Sequence, residues 1–118
     1  MLRLINDARR AAGASAVTLD DALSKVARDH AADMIAENRF SHVSAKHGTL
    51  ASRLHVAKIE YERAGENLAG DVSVSHAFEL WMKSSCHKAN IMGNWQKVGL
   101  GVVKGGSYGL MIVALFAR

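Results

Sequence analysis

The sequence predicts an α+β domain, with helices first and an antiparallel pair of strands at the end. Between Leu19 and Ile35, apolar residues recur at three- and four-residue steps, which is the spacing of an amphipathic helix. Val98–Lys104 and Tyr108–Phe116 are instead rich in Val, Ile, Leu and aromatic residues. The intervening Gly105-Gly106-Ser107 favours a short hairpin turn, so these two segments are predicted to pair as strands.

Two helices are predicted before residue 40. The first covers Leu2 to Ala12 and ends at Gly13, a residue that commonly closes helices. The second begins at a Thr18 cap, has two aspartates near its positive end, and runs to about Asn38.

The middle of the chain contains weaker patterns. A short helix is predicted after a Thr49 cap, and Lys58–Ala69 has no helical period, so it is predicted to be extended with a break at Gly65. Ser73 is suited to cap a third helix. Polar residues 84–88 interrupt that helix, and a further helical turn is predicted at 89–92.

Length and composition place the whole chain, residues 1–118, in a single folded domain. Apolar residues make up 49% and charged residues 22%, which excludes a disordered or fibrous protein. The longest apolar run, Leu110–Ala117, is far shorter than the ~20 residues that cross a bilayer, so we expect no transmembrane segment.

The charge pattern argues against a nucleic-acid partner. The chain has 15 Lys and Arg against 11 Asp and Glu, for a net charge of +4. These basic residues are spread from Arg3 to Arg118 and do not concentrate in one arm or stripe, as they do in most nucleic-acid binders.

The single cysteine, Cys86, excludes an internal disulfide. That is typical of a cytoplasmic protein and also of bacterial exported proteins that do not rely on disulfides. The first residues lack the regions of a signal peptide. Either the protein is not exported or its signal is absent from this chain.

Taken alone, the histidines and glutamates suggest little chemistry. His30 falls on the apolar stripe of the second helix, where a core histidine with hydrogen-bonded ring nitrogens is expected. His47 and His55 lie in polar surroundings and are predicted to be surface residues. The helical spacing around Glu79 also indicates a solvated face.

Four ordered stretches change this interpretation: Phe40-Ser41-His42, Gly65–Ala69, Glu79–Ile91 and Val98–Val102. They carry the patterns F-S-H, G-E-N-L-A, E-x-W-x-x-S-x-x-H-x-x-N-I and V-G-x-G-x. Together they resemble the CAP superfamily of cysteine-rich secretory proteins, insect venom antigen five and plant pathogenesis-related proteins. The bacterial single-domain branch is the most similar, and the resemblance covers nearly the whole chain.

The resemblance implies a three-layer α-β-α sandwich with a central antiparallel sheet. His42, Glu66, Glu79 and His87 match the family's cleft tetrad. In several relatives the two histidines bind a divalent ion, often zinc, and the glutamates reach it through water. Two protein ligands are fewer than the three usual for catalytic zinc, so we expect weak binding. The alternative is a hydrogen-bonded polar cluster that only holds the helices to the sheet.

The sequence therefore predicts three alternative functions. The first is a secreted or envelope-associated monomeric binding module, whose cleft takes a divalent ion and a small-molecule, peptide or lipid ligand. The second is a metal-dependent hydrolase of peptidase type, with Glu66 or Glu79 as general base. The third is a carrier of sterols or other lipids. Whether the protein is an enzyme stays open, and a cytoplasmic location is the alternative to an extracellular one.

Two local features depart from familiar motifs. Ser85-Cys86 stands where this branch usually has Pro-Gly, so Cys86 is either a small structural thiol or a soft ligand beside the cleft. Gly99-Leu100-Gly101 lacks the third glycine of a dinucleotide-binding fingerprint and lies in a predicted strand. Close backbone packing is the better interpretation of these two glycines.

Overall fold

A computed structural model describes all residues from 1 to 118. It contains five helices and four strands. In chain order these are α1 (Leu2–Ala11), β1 (Thr18–Leu19), α2 (Asp21–Ala36), α3 (Leu50–Val56), β2 (Ala64–Asp71), α4 (Val74–Lys83), α5 (Ser85–Ile91), β3 (Lys97–Lys104) and β4 (Leu110–Ala117).

One sheet, with strand order β1-β3-β4-β2, forms the centre of the domain. The three long strands are antiparallel: β3 pairs with β4, and β2 pairs with the other side of β4. The predicted hairpin and antiparallel sheet are therefore confirmed. The two-residue β1 pairs in parallel with β3, which makes the complete sheet mixed.

Both faces of the sheet are covered, and this explains the apolar run at the end of the chain. Along β4, Met111, Val113 and Leu115 pack in the core that α2 and α3 cover. The alternate residues Ile112, Ala114 and Phe116 pack in the second core, with residues of α1, α4 and α5. A strand buried on both faces needs apolar residues at every position. The predicted three-layer α-β-α sandwich is confirmed.

Helix α2 lies directly on the backbone of β3 at two glycines. A Cβ atom placed on Gly99 would overlap the backbone of Leu23, and one on Gly101 would lie 2.5 Å from the carbonyl carbon of Ala27. The close packing predicted for these glycines is confirmed. It sets the distance between the helix and the sheet.

The prediction that Thr18 caps the second helix is wrong. The Thr18 amide donates to the carbonyl of Gln96, and the Asp20 amide to that of Val98, so this segment pairs with β3 instead. The cap is Asp20, whose Oδ1 accepts from the Leu23 amide. Sheet pairing with a distant segment outweighs the local capping preference of threonine.

Three other boundaries differ from the predictions. The extended middle segment is an unbroken strand across Gly65, since each residue from 64 to 71 has a partner in β4. The break predicted at 84–88 is mostly helical, because Ser84 caps α5 and the helix starts at Ser85. Tyr108 lies in the hairpin turn, and β4 begins at Leu110. The predicted caps Thr49 and Ser73 are confirmed.

None of the five helices combines the length and the apolar character needed to cross a bilayer.

Candidate functional site

Three of the four family-matched residues lie at the free edge of the sheet, beside β2. Strand β2 supplies Glu66, the loop after α2 supplies His42, and α5 supplies His87. Because β2 is the last strand of the sheet, side chains from both covering layers reach this edge. We call the surface around His42, Glu66 and His87 the histidine cleft, after the cleft that the family resemblance implies.

Glu66 is the buried centre of the cleft. Its carboxylate accepts from Arg53 twice, at 2.9 Å between Nη1 and Oε2 and at 3.1 Å between Nη2 and Oε1. The two side chains are each 3% exposed. A bidentate pairing of this kind fixes the orientation of the carboxylate.

Arg53 also fixes the loop that carries His42. Its Nη2 donates to the His42 carbonyl at 2.8 Å. Arg53 is not among the residues predicted from the sequence, because an arginine on a short helix is ordinarily a surface residue. Nothing in its position within α3 distinguishes it from an exposed arginine.

The imidazole of His42 is oriented by Glu66. Its Nδ1 lies 2.9 Å from Oε1 of Glu66. Because a carboxylate only accepts, Nδ1 carries the hydrogen and donates it, which leaves Nε2 free. More than half of the His42 side chain is exposed. This is the arrangement in which a carboxylate prepares a histidine to bind a ligand through Nε2.

The second imidazole, His87, is held by α4 and α5. Its Nδ1 lies 2.9 Å from Oγ of Ser84, and its ring stacks on Trp81 with 6.3 Å between ring centroids. Burial lowers the pKa of His87, and the nearby charge of His42 lowers it further. The ring of His87 is therefore neutral at pH 7.

Two asparagines fasten α5 to the strand edge. Nδ2 of Asn67 donates to the His87 carbonyl at 3.0 Å, and Nδ2 of Asn90 donates to the Glu66 carbonyl at 3.2 Å. Asn90 also donates to Oδ1 of Asn67 at 2.8 Å. These bonds place the His87 backbone relative to Glu66 and satisfy an edge carbonyl that no other strand reaches.

The fourth matched residue, Glu79, stands apart from this network. It is exposed on α4 and makes no hydrogen bond or ion pair with His42, Glu66 or His87. The structure thus joins His42 to Glu66 directly, places His87 nearby, and does not link Glu79 to them.

No three side chains of His, Cys, Asp or Glu converge closely enough to share a metal ion. Cys86 is exposed.

His30 is a buried residue of α2 that contacts the loop carrying His42. The side chain is buried, as predicted, and Nε2 donates to the Ser41 carbonyl at 2.8 Å, next to His42. Only one ring nitrogen is bonded, however: Nδ1 has no partner, and neither has the buried Nε of Arg53. Burial is the main cause that lowers the pKa of His30, and the charge of Arg53 adds to it.

The other histidines lie outside the cleft. His55 is exposed on α3, as predicted. His47 is exposed, as predicted, and pairs with Asp33 of α2. His76, in the first turn of α4, pairs with the buried Asp71 at the end of β2.

The sequence matches the profile of the cysteine-rich secretory protein family, CAP, over residues 2–116. Two Bacillus subtilis proteins are similar to it. It is 34% identical to YkwD over 109 residues, which are 91% of this chain and 42% of that protein. It is 36% identical to the membrane protein YlbC over 104 residues, 86% of this chain and 30% of that protein. The chain thus spans less than half the length of these relatives.

Solved structures agree with the fold. An extracellular Bacillus anthracis protein containing an SCP domain is 28% identical and superposes on the whole chain with a TM-score of 0.89, covering 40% of that protein. An outer surface protein of Borrelia burgdorferi is 22% identical and superposes on 99% of the chain with a TM-score of 0.91, covering 88% of that protein. At this identity the second comparison supports the fold alone.

Proposed function

Since the chain belongs to the cysteine-rich secretory protein family, we propose that it is an extracellular or envelope-associated binding module whose histidine cleft takes a divalent ion, zinc in particular, and a ligand. The location is supported by the extracellular Bacillus anthracis relative. The metal is supported by the geometry of the two imidazoles.

The observation that carries the proposal is the hydrogen bond that His42 and His87 each make at Nδ1. In each ring Nδ1 is bonded, to Glu66 in one case and to Ser84 in the other, so that Nε2 is the nitrogen left for a ligand. Imidazole nitrogen suits zinc, and a fixed partner on the other ring nitrogen strengthens such a site. The residues present therefore fit a zinc ion held by two side chains.

The same geometry limits the affinity. Both oxygens of Glu66 are bonded to Arg53, and no third metal-ligating side chain converges with the two histidines. Water would have to complete the coordination. We therefore propose micromolar or weaker, exchangeable binding, in which Glu66 acts by orienting His42.

The arrangement favours a binding module over a hydrolase. A general base needs a carboxylate oxygen that is free to accept a proton, whereas both carboxylate oxygens of Glu66 already accept hydrogen bonds from Arg53. The other candidate base, Glu79, is exposed and not linked to the two imidazoles. When bound, zinc would supply a positive charge that polarises an oxygen of a ligand.

Calorimetric titration with zinc chloride tests the proposal. The parent protein is expected to bind one zinc ion, and the His42→Ala/His87→Ala double variant is expected to bind none in the same range. His55→Ala is the matched control, because it removes an exposed imidazole outside the cleft. Protons compete for imidazole nitrogen, so the affinity of the parent should fall below about pH 6.5. Equal binding by the parent and the double variant would reject the site.

A further inference from the structure

A pair of exposed aromatic rings lies beside the turn between β3 and β4. Phe40 and Tyr108 are 50% and 49% exposed, and their ring centroids are 6.1 Å apart at an angle of 57°. Tyr108 packs on Gly70, where a Cβ atom would overlap its ring. Two half-exposed aromatic residues fixed in this way form a rigid apolar surface that no part of this chain covers.

Strand β2 connects this aromatic pair to the histidine cleft, since Tyr108 packs on Gly70 and Glu66 lies earlier in the same strand. Glu66, Leu68 and Gly70 point to the same face of β2, the one that packs against α2, because alternate residues of a strand share a face. Four residues of extended strand span about 13 Å from Glu66 to Gly70. Phe40 also precedes His42 by two residues in the same loop. The aromatic pair and Glu66 therefore lie on the same side of the sheet, about 13 Å apart along β2.

A small recess of about 100 Å³ adjoins the two rings. Its floor is formed by the buried side chains of Met34 and Met111, and its rim by the exposed Asn38, Arg39 and Ser107. None of these three polar side chains takes part in a hydrogen bond within the protein. The recess thus offers a small apolar floor with free polar groups around it.

We propose that the aromatic pair and this recess form a subsite for an N-acetylated oligosaccharide that runs along the β2 edge to the histidine cleft. The C–H face of a sugar ring is apolar and packs on aromatic faces. The acetamido methyl group fits the apolar floor, and sugar hydroxyls and the amide can bond to Asn38, Arg39 and Ser107. The inference deepens the proposed function and rests on it, since it names the ligand class of the same cleft.

A peptide is the weaker candidate for this surface. An extended peptide ordinarily binds a sheet edge by adding a strand and using its free backbone groups. At this edge the Glu66 carbonyl accepts from Asn90 and the Leu68 carbonyl accepts from Nε1 of Trp81. Because these two carbonyl oxygens are already hydrogen-bonded, a ligand must recognise this surface mainly through side chains.

The test is a titration of the isotope-labelled protein with the linear hexamer of N-acetylglucosamine, followed by amide chemical shifts. Shifts are expected at Phe40, Tyr108 and Gly70, and they should extend to residues around His42. Tyr108→Ala should weaken the affinity about tenfold or more, as for other central aromatic contacts. Tyr108→Phe should bind nearly as well as the parent. Tyr61→Ala is the matched control, because it removes an exposed tyrosine outside the subsite.

Two further measurements separate this inference from the metal proposal. Tyr108→Ala should bind zinc as the parent does, and the His42→Ala/His87→Ala variant should still bind the dimer of N-acetylglucosamine at the aromatic pair. If the parent protein binds the sugar but no zinc, the proposed metal site is rejected and the sugar subsite is still supported. The subsite is overturned if the hexamer causes no shifts at millimolar concentration, or if Tyr108→Ala binds it unchanged. It is equally overturned if an unstructured peptide shifts these residues while the hexamer does not.

Discussion

The guanidinium group of Arg53 binds both carboxylate oxygens of Glu66, at 2.9 and 3.1 Å, beneath the surface of the histidine cleft. The pair connects the short helix α3 to the edge strand β2, and through the His42 carbonyl it also holds the loop that carries the first imidazole. A buried ion pair contributes little net stability compared with apolar residues of similar size, but a single charge left behind is costly.

We predict that Arg53→Met destabilises the protein by about 3–5 kcal/mol, because it leaves the buried Glu66 carboxylate without its partner. Urea unfolding followed by circular dichroism at pH 7 measures the change. The double variant Arg53→Met/Glu66→Leu should recover much of the loss. Arg28→Met, which changes an exposed arginine of α2, should have little effect. A loss below about 1 kcal/mol in Arg53→Met would show that the carboxylate is solvated.

The close contact between α2 and β3 gives a second prediction. A Cβ atom on Gly101 would meet the backbone of Ala27 and Arg28, which cannot move as a flexible side chain could. Gly101→Ala should therefore destabilise the protein by about 2 kcal/mol or more. Val102→Ala, at the exposed neighbouring position, should cost much less. Thermal unfolding of both variants decides the matter, and equal midpoints would contradict the contact.

Much of the fold was predictable because its signals are local. The helical period of α2, the caps at Thr49 and Ser73, and the apolar strands around the final turn all lie within short windows of sequence. The start of α2 was not predictable in this way. Thr18 is a good cap locally, but it pairs with Gln96 and Lys97, which are remote in sequence.

The site was predictable only in part, and for the same reason. Family resemblance located His42, Glu66 and His87, and the structure places His42 on Glu66 with His87 close by. Arg53 lay outside the matched motifs, and its role depends on a pairing between α3 and β2 that no sequence period reveals. The role predicted for Glu79 stays a prediction.

The asparagine bridge at the sheet edge gives a third prediction. Asn90→Ala removes the donor to the Glu66 carbonyl and leaves Oδ1 of Asn67 without its partner. The expected loss is about 1–3 kcal/mol. Because the β2 edge is then less protected, the variant should also aggregate faster on heating, as measured by light scattering. Asn94→Ala, at an exposed position of the next turn, is the control. Identical scattering from both variants would show that the edge does not depend on Asn90.

Buried His30 gives the last prediction, a dependence of stability on pH. Burial lowers the pKa of His30 below its ordinary value of 6.5. The unfolded chain therefore takes up a proton near pH 6.5 that the folded protein does not accept until a lower pH. The stabilising effect is complete above pH 6.5, decreases as the pH falls through that value, and is lost below the folded pKa. Protonation is opposed because the ring is buried and the positive charge of Arg53 lies nearby.

Urea unfolding at a series of pH values between 8 and 5 should show the decrease, and the His30→Gln variant should show a shallower one. His87 contributes in the same direction, since burial lowers its pKa too, so His30→Gln should retain part of the slope. His55→Ala removes an exposed ring and should leave the slope as in the parent. If His30→Gln and the parent had the same slope, His30 would have to take up its proton equally in the folded and unfolded states. That result would contradict a buried imidazole with only one hydrogen-bonded nitrogen. The free energy of unfolding of the protein must depend on pH if the folded state excludes a proton that the unfolded chain accepts.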